Sequence, residues 1–199
     1  MGKMKGRLGN DFCPQPLFLY GNYQADGTPH FGLFCWFSYC SLQDGEEEAL
    51  GVMACIGEEK LTKDLIREQG MFSANLVTRP LLPLADYYGT TSGREFPDKM
   101  RRLPTVEPGQ MLHVPTIVES PVSFELKVVE ERRLAAGSGL FLCRVCNVMV
   151  EEGLADSSLP FIQRLHKADP VITAGEARYA SISGEDLDAW GEPGAALRQ

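Results

Sequence analysis

Pro16-Leu17-Phe18-Leu19-Tyr20-Gly21-Asn22-Tyr23-Gln24 is followed by Ala25-Asp26-Gly27-Thr28 and then by Pro29-His30-Phe31-Gly32-Leu33-Phe34-Cys35-Trp36-Phe37-Ser38-Tyr39-Cys40-Ser41-Leu42. Both flanks have the aromatic and aliphatic content of strands, and Asp26-Gly27 between them supplies the positive-φ geometry of a tight hairpin. The chain is therefore expected to open with a β-hairpin. In a continuous second strand, alternation places Phe34 and Trp36 on one face and Cys35 and Phe37 on the other. Aromatic strand residues of this kind are more often core than a platform for a ligand.

Beyond the hairpin, an acidic loop at 44–48 leads to an apolar run at 49–56, whose continuous character predicts a strand covered on both faces. After Gly57 the pattern changes. Thr62 can cap a helix through Asp64, Leu65, Ile66 and Arg67, with Gly70 ending it in the left-handed conformation. Residues 71–77 return as a strand, Pro83 can start a second short helix that stops at Gly89, and 90–108 is rich in breakers. Two long runs, 122–134 and 140–150, flank Ala136-Gly137-Ser138-Gly139 and read as another hairpin. At least six strands with two or three short helices and no repeat argue for a mainly β single barrel, not a layered βαβ fold.

One domain over residues 1–199 suits this length, with a core at about 12–155 and a C-terminal extension, 156–199, packing on the barrel or on a partner. Hydrophobic residues make up 44% and charged residues 23%, the balance of an ordinary globular protein. Twenty-seven acidic against nineteen basic side chains give a net charge of -8, which disfavours nucleic acid and anionic membranes. Any phosphate ligand therefore needs a local basic pocket. The longest apolar stretch, 31–42, is too short for a membrane helix, and Lys3, Lys5 and Arg7 lack an apolar segment behind them, so a cytoplasmic location is expected. The six cysteines read as reduced thiols packed as small hydrophobes.

Lys60-Leu61-Thr62-Lys63 at a helix start gathers free backbone N–H groups, the positive end of the dipole, a hydroxyl and two ammonium groups. It is either an anion site or a plain threonine cap with solvated lysines. Ser92-Gly93-Arg94-Glu95-Phe96-Pro97-Asp98-Lys99 is a loop that could bring Ser92 and Lys99 to the same anion, or a solvated loop. Cys143 and Cys146 have CxxC spacing, but strand residues three apart face opposite ways, and His30, His113 and His166 are isolated from one another, so no metal site is expected. The glycine-rich dinucleotide, P-loop and nucleophile-elbow motifs are all missing.

Taken in order, Pro16-Leu17-Phe18-Leu19, Asp26-Gly27-Thr28-Pro29, Trp36, Lys60-Leu61-Thr62, Met71-Phe72-Ser73-Ala74-Asn75, Ala85-Asp86-Tyr87-Tyr88-Gly89, Ser92-Gly93, Asp98-Lys99 and Pro115 resemble the flavin reductase-like family, especially its flavoredoxin branch. The resemblance spans residues 14–152. It implies a six-stranded Greek-key split β-barrel that dimerises and binds FMN near the subunit interface. Thr62 and Lys60 would hold the phosphate, Lys99 would add a charge-assisted contact to it or to the ring, Leu61 and Ser92 would also contact the cofactor, and Leu33, Phe34, Cys35 and Trp36 would line the isoalloxazine and ribityl chain. The implied activity is that of a flavin reductase or flavoredoxin, an oxidoreductase or electron carrier supplied by NAD(P)H or a redox protein, with no catalytic side chain required because the flavin itself accepts the hydride.

The chain departs from the family pattern in places. His30 stands where the family often has asparagine, Leu33 where a hydroxyl residue is common, and residues 41–49 lack the usual proline pair. The segment 169–179 matches loosely. Two rival readings keep the fold: a non-catalytic module that has lost its grip on flavin, and a barrel for another ligand, such as haem or a pyridoxal-phosphate-like molecule.

Overall fold

A computed structural model describes residues 2–6, 8–9, 13–57, 59–135 and 137–182. Residues 12, 58 and 136 of the expected core and 183–199 of the expected extension lie outside the described residues. In chain order the elements are β1 (Phe18–Tyr23), β2 (Pro29–Phe34), β3 (Trp36–Asp44), β4 (Glu47–Ile56), α1 (Leu61–Gln69), β5 (Met71–Leu76) and α2 (Leu82–Thr90). A 3-10 helix (Pro97–Arg101), β6 (Val106–Pro108), β7 (Pro115–Ile117), β8 (Val122–Ala135), β9 (Ser138–Val150), α3 (Glu152–Ala155), α4 (Phe161–Ala168), β10 (Val171–Ala174) and β11 (Arg178–Ser181) follow.

The opening hairpin forms as its sequence predicts. Tyr23 pairs with Pro29 and Phe18 with Phe34, Gly27 takes φ 82°, and Asp26 Oδ1 accepts from the Thr28 N–H at 2.9 Å. Seven strands then form one antiparallel sheet in the order β2-β1-β5-β8-β9-β4-β3. Its two edges, β2 and β3, are consecutive in the chain and separated by Cys35 alone. A sheet whose opposite edges are joined by one residue has to curl until they meet, which makes it a split barrel. Buried side chains from all seven strands accordingly form one cluster, with Phe18 against Phe37 at 4.5 Å and Phe34 against Phe37 at 5.8 Å between ring centres.

Local expectations change here. The run 29–42 is two strands, which gives the main sheet seven strands, and the alternation resets at the break. The Phe37 N–H donates to the Cys35 carbonyl at 3.0 Å, a three-residue turn centred on Trp36, so Phe34 and Phe37 both enter the barrel while Trp36 stays 47% exposed. The run 49–56 is covered on one face only: Val52, Ala54 and Ile56 point into the core, Met53 faces outward, and Leu50, on the inward face, lies exposed past the end of the core. The acidic loop contracts to a two-residue turn with Gly45 at φ 66°, and Arg144 pairs with Asp44 at 2.9 Å beside it.

A second core lies outside the barrel. Leu19 and Phe31 on the outer face of the first hairpin pack with Leu81, Ala85 and Tyr88 around α2, with Met100, Ile117 and Val171. Val171 is held by backbone bonds to Leu17 and Val77, so the described part of the C-terminal segment lies against the barrel wall. Among the described residues no helix is long and apolar enough to cross a membrane.

Glu125 is a fully buried carboxylate on β8 that accepts from the backbone N–H groups of Gln110, Met111 and Leu112 and from Asn147 Nδ2, fastening the 109–114 loop to the barrel. Burial raises its pKa, but the Asn147 and backbone hydrogen bonds outweigh it and hold the carboxyl below the ordinary glutamate value of 4.5. A group depressed in the folded state stabilises above its unfolded pKa and loses that contribution as pH falls through the folded value. Glu125→Ala, which removes the acceptor of three part-buried backbone N–H groups, is therefore expected to cost about 1–3 kcal/mol at pH 7 and to reduce the acid sensitivity of the melting temperature. Calorimetry from pH 7 to pH 3 checks both.

Candidate functional site

The N-terminus of α1 is set by Lys60, which has extended dihedrals (φ -110°, ψ 148°) and whose carbonyl accepts from Lys63 and Asp64. Leu61 and Thr62 lie too early in the helix for their N–H groups to find intrahelical acceptors, so these donors stand at the positive end of the dipole. Thr62 is not the cap the sequence suggested. It sits one turn position inside, buried, with Oγ1 2.8 Å from His30 Nδ1. Gly70 does end the helix in the left-handed region, its N–H bonded to the Ile66 carbonyl at 2.8 Å. Lys63 turns away: fully buried, its Nζ donates to the Gly137 carbonyl at 2.7 Å and meets Glu59 at 3.4 Å, so of the two ammonium groups in Lys60-Leu61-Thr62-Lys63 only that of Lys60 serves the site.

Gly89 lets α2 approach β2, because a Cβ there would fall 2.7 Å from Leu33 Cδ2. The helix runs one residue past the expected stop, to Thr90, and hands over to the Ser92-Gly93 loop. Ser92 O accepts from the N–H of Phe96 at 2.9 Å, and Arg94 pairs with Asp64, tying the loop to α1. The 3-10 turn then delivers Lys99, which is 3% exposed, with Nζ 5.5 Å from the centre of the Tyr88 ring. Among the described residues no carboxylate pairs with it.

These elements enclose a polar cavity of about 250 Å³ lined by His30, Lys60, Leu61, Thr62, Ser92 and Lys99, among others. It adjoins, at Gly89 and Thr90, a larger apolar cavity of about 400 Å³ lined by Leu33, Phe34, Cys35, Thr173, Arg178 and Tyr179. Burial, and then Lys60, lower the Lys99 pKa to about 8; burial, and then Lys99, lower that of His30 to about 4. At neutral pH the imidazole is therefore neutral and Lys99 still largely cationic. Glu59 and Glu95 stand on the rim, Glu59 engaged by Arg67 at 2.9 Å. Burial raises the Cys35 thiol, so it lines the apolar cavity as a neutral group.

Of the nine residues marked from the sequence, five meet in the polar cavity and three in the apolar one. Trp36 lines neither; it borders a separate recess of about 320 Å³ with Met53, Cys55 and Leu140 on the outer face of β3, β4 and β9. Sequence reasoning marked His30 only as a departure at a position where the family contacts flavin, not as a site residue, and named no residue of the hairpin of β10 and β11. His30 stands in the first hairpin opposite Asn22, and nothing local to it signals Thr62, 32 residues later. The second hairpin carries Thr173, Arg178 and Tyr179 to the mouth of the apolar cavity through a turn in which Glu176 and Ala177 both take positive φ (60° and 56°). Its Tyr179 hydroxyl donates to Asp86 Oδ1 at 2.6 Å, latching it to α2. Loss of this charge-assisted bond, about 1 kcal/mol, should raise amide exchange in 171–181 roughly fivefold in both Asp86→Ala and Tyr179→Phe. Hydrogen–deuterium exchange measures it, and unchanged rates in both variants would refute the latch.

The sequence profile of the flavin reductase like domain matches residues 11–168. The solved structure of flavoredoxin from Desulfovibrio vulgaris (Miyazaki F) is similar at 28% identity with a TM-score of 0.78, covering 96% of this chain and 100% of that one. Flavoredoxin from Methanosarcina acetivorans superposes with a TM-score of 0.81 at 21% identity over 99% and 100% of the two chains, a likeness that bears on the fold alone. So does that of the FMN-binding protein from Thermus thermophilus with bound p-hydroxybenzaldehyde, with a TM-score of 0.70 at 22% identity over 95% and 99%. An uncharacterized protein of Aeropyrum pernix is 34% identical over 76 residues, which is 38% of this chain and 29% of that relative. With 11–168 of the 199 residues matched, the chain belongs to the flavin reductase-like domain family.

Proposed function

We propose that this chain is an FMN-binding oxidoreductase of the flavin reductase or flavoredoxin kind, reduced by NAD(P)H or a redox protein and passing electrons onward. The observation that carries this reading is Lys99, a buried ammonium with no carboxylate partner among the described residues, in a polar cavity that adjoins an apolar one. An unpaired buried charge is costly unless a ligand of opposite sign satisfies it. In a chain of net charge -8, the meeting of Lys60, Lys99 and the first-turn N–H groups of α1 fits a compact anion such as a terminal phosphate. The apolar cavity beside it, within the usual size range of ligand sites, fits a planar ring. FMN is the flavin that ends in one such phosphate.

In this reading Lys99 and Lys60 neutralise the phosphate, Thr62 and Ser92 offer hydroxyl donors, and Leu33, Phe34 and Cys35 exclude water from one side of the ring. The bound flavin would supply hydride and one-electron chemistry. We further infer that the protein works as a homodimer: Trp36 and Met53 leave the outer sheet face apolar and exposed beside Leu140, and a second copy would cover it. The acidic surface argues against nucleic acid or membrane as partners.

Purified protein mixed with FMN should keep a yellow double absorption band through a desalting column or show saturable binding by fluorescence quenching; free passage of the flavin with no quenching would sink the reading. Lys99→Ala should weaken FMN binding by roughly tenfold to a hundredfold, as expected for loss of a charge-assisted contact, with no loss of melting temperature in the apo protein, which sheds a costly buried charge, and Thr62→Ala should weaken it by roughly tenfold. Unaltered affinity in both would show that the phosphate is held elsewhere. Affinity in the unmodified protein should also fall as pH rises past about 8, because Lys99 loses its proton there while an ordinary lysine would hold it to 10.5. Without FMN the sign reverses. The unfolded chain binds the extra proton between those two values, so apo stability rises with pH across that window. Both trends should vanish in Lys99→Met.

A further inference from the structure

We propose that His30 is a positioning residue of the anion cavity, a spacer that holds Thr62 of α1 and the Ser92-Gly93 loop in one fixed arrangement around the bound phosphate. The inference rests on the phosphate-binding reading above and goes beyond it, because His30 acts through its neighbours and not through its own charge. It is almost fully buried, and its two ring nitrogens face two separate segments of the chain. Nδ1 lies 2.8 Å from Thr62 Oγ1. On the other side the ring fills the space that a side chain at position 93 would need: a Cβ there would stand 2.5 Å from Nε2 and 3.1 Å from Cε1. Glycine at 93 is thus the condition for the loop to close onto the ring, and this glycine has no positive φ to explain it otherwise.

The consequence is a three-part clamp. The start of α1 and the loop after α2 share no strand pairing, yet both are gauged by one imidazole on β2. Its burial and the nearby Lys99 keep the ring neutral down to about pH 4, so it adds no charge to the pocket. A neutral imidazole carries one proton. Placed on Nδ1, that proton is donated to Thr62 Oγ1 and leaves the Thr62 hydroxyl hydrogen free for the anion; on Nε2, it lets Nδ1 accept from Thr62 instead. The first tautomer fixes the threonine with its donor turned to the ligand, where a freely turning hydroxyl would present it only part of the time; the second spends that donor on the imidazole and leaves the anion to the lysines and the helix N–H groups.

The test compares Kd values for FMN and for riboflavin, which lacks the phosphate, in the full-length protein and in His30→Leu, His30→Asn and Gly93→Ala. The unmodified protein should prefer FMN. His30→Leu should lose about tenfold in FMN affinity with riboflavin affinity unchanged, and His30→Asn, whose amide can still bond Thr62, should retain most of the preference. Gly93→Ala keeps the imidazole but displaces it, and should reproduce the selective loss even if His30→Leu fails to fold. A His30→Leu or Gly93→Ala protein that keeps the ratio of the two affinities, or that loses both ligands equally, would overturn the positioning role while leaving the flavin reading intact. An unmodified protein that binds both flavins equally would remove the phosphate reading and this inference with it.

Discussion

One residue, Cys35, joins the two opposite edges of a seven-stranded sheet. Successive Cα atoms are 3.8 Å apart, so the end of β2 and the start of β3 cannot be separated by more than about 7 Å. Every other feature of the barrel follows from meeting that limit. The sheet has to roll through β1, β5, β8, β9 and β4 to bring its ends together, and the inward residues of each strand must then share one interior. Phe18, Phe34, Phe37 and Phe124 meet at that closure and fill it. The break also costs the chain its alternation at one point, which is why Phe34 and Phe37, three positions apart, both stand inside while Trp36 stands out.

The same seam accounts for the position of the candidate site. Among the described residues β2 is paired with β1 on one side and carries no strand on the other, so the backbone and side chains near Leu33, Phe34 and Cys35 remain available. α2 lies against this hairpin on the outside, brought close by Gly89, and α1 begins beside it. The polar and apolar cavities adjoin where these elements converge. An edge strand is usually a liability; here its open flank carries the mouth of the apolar cavity, partly covered by the hairpin of β10 and β11.

Electrostatics within the polar cavity runs against that of the whole molecule. The net charge is -8, yet Lys60 and Lys99 approach closely enough for one to depress the other. Two ammonium groups at close quarters and low exposure repel each other, and the fold tolerates this because the surrounding packing is satisfied elsewhere: Lys63 by Gly137 and Glu59, Glu125 by its loop, Asn75 by Leu19, Ile117 and Ser123. The repulsion is localised where an anion can relieve it.

What the residues determined by themselves is local: the Asp26-Gly27 hairpin, the left-handed stop at Gly70, the two long C-terminal strands, and the clustering of Lys60, Leu61 and Thr62 at a helix start. Turn chemistry, capping and alternation act over a few positions, so a reader of the sequence can find them. The ordered series of short motifs also pointed to the family, which the sequence profile over 11–168 then established. Tertiary structure alone decided what depended on curvature and on distant contacts. The break at Cys35, the outward turn of Trp36 and the exposed outer face of β4 follow from closing the barrel. Lys63 turned from ligand candidate to buried strut because Gly137, far along the chain, offers its carbonyl. His30 entered the site because Thr62 and Gly93 come to it from segments 32 and 63 residues away, a juxtaposition that no periodicity encodes, since it is fixed by how two helices pack on one curved sheet.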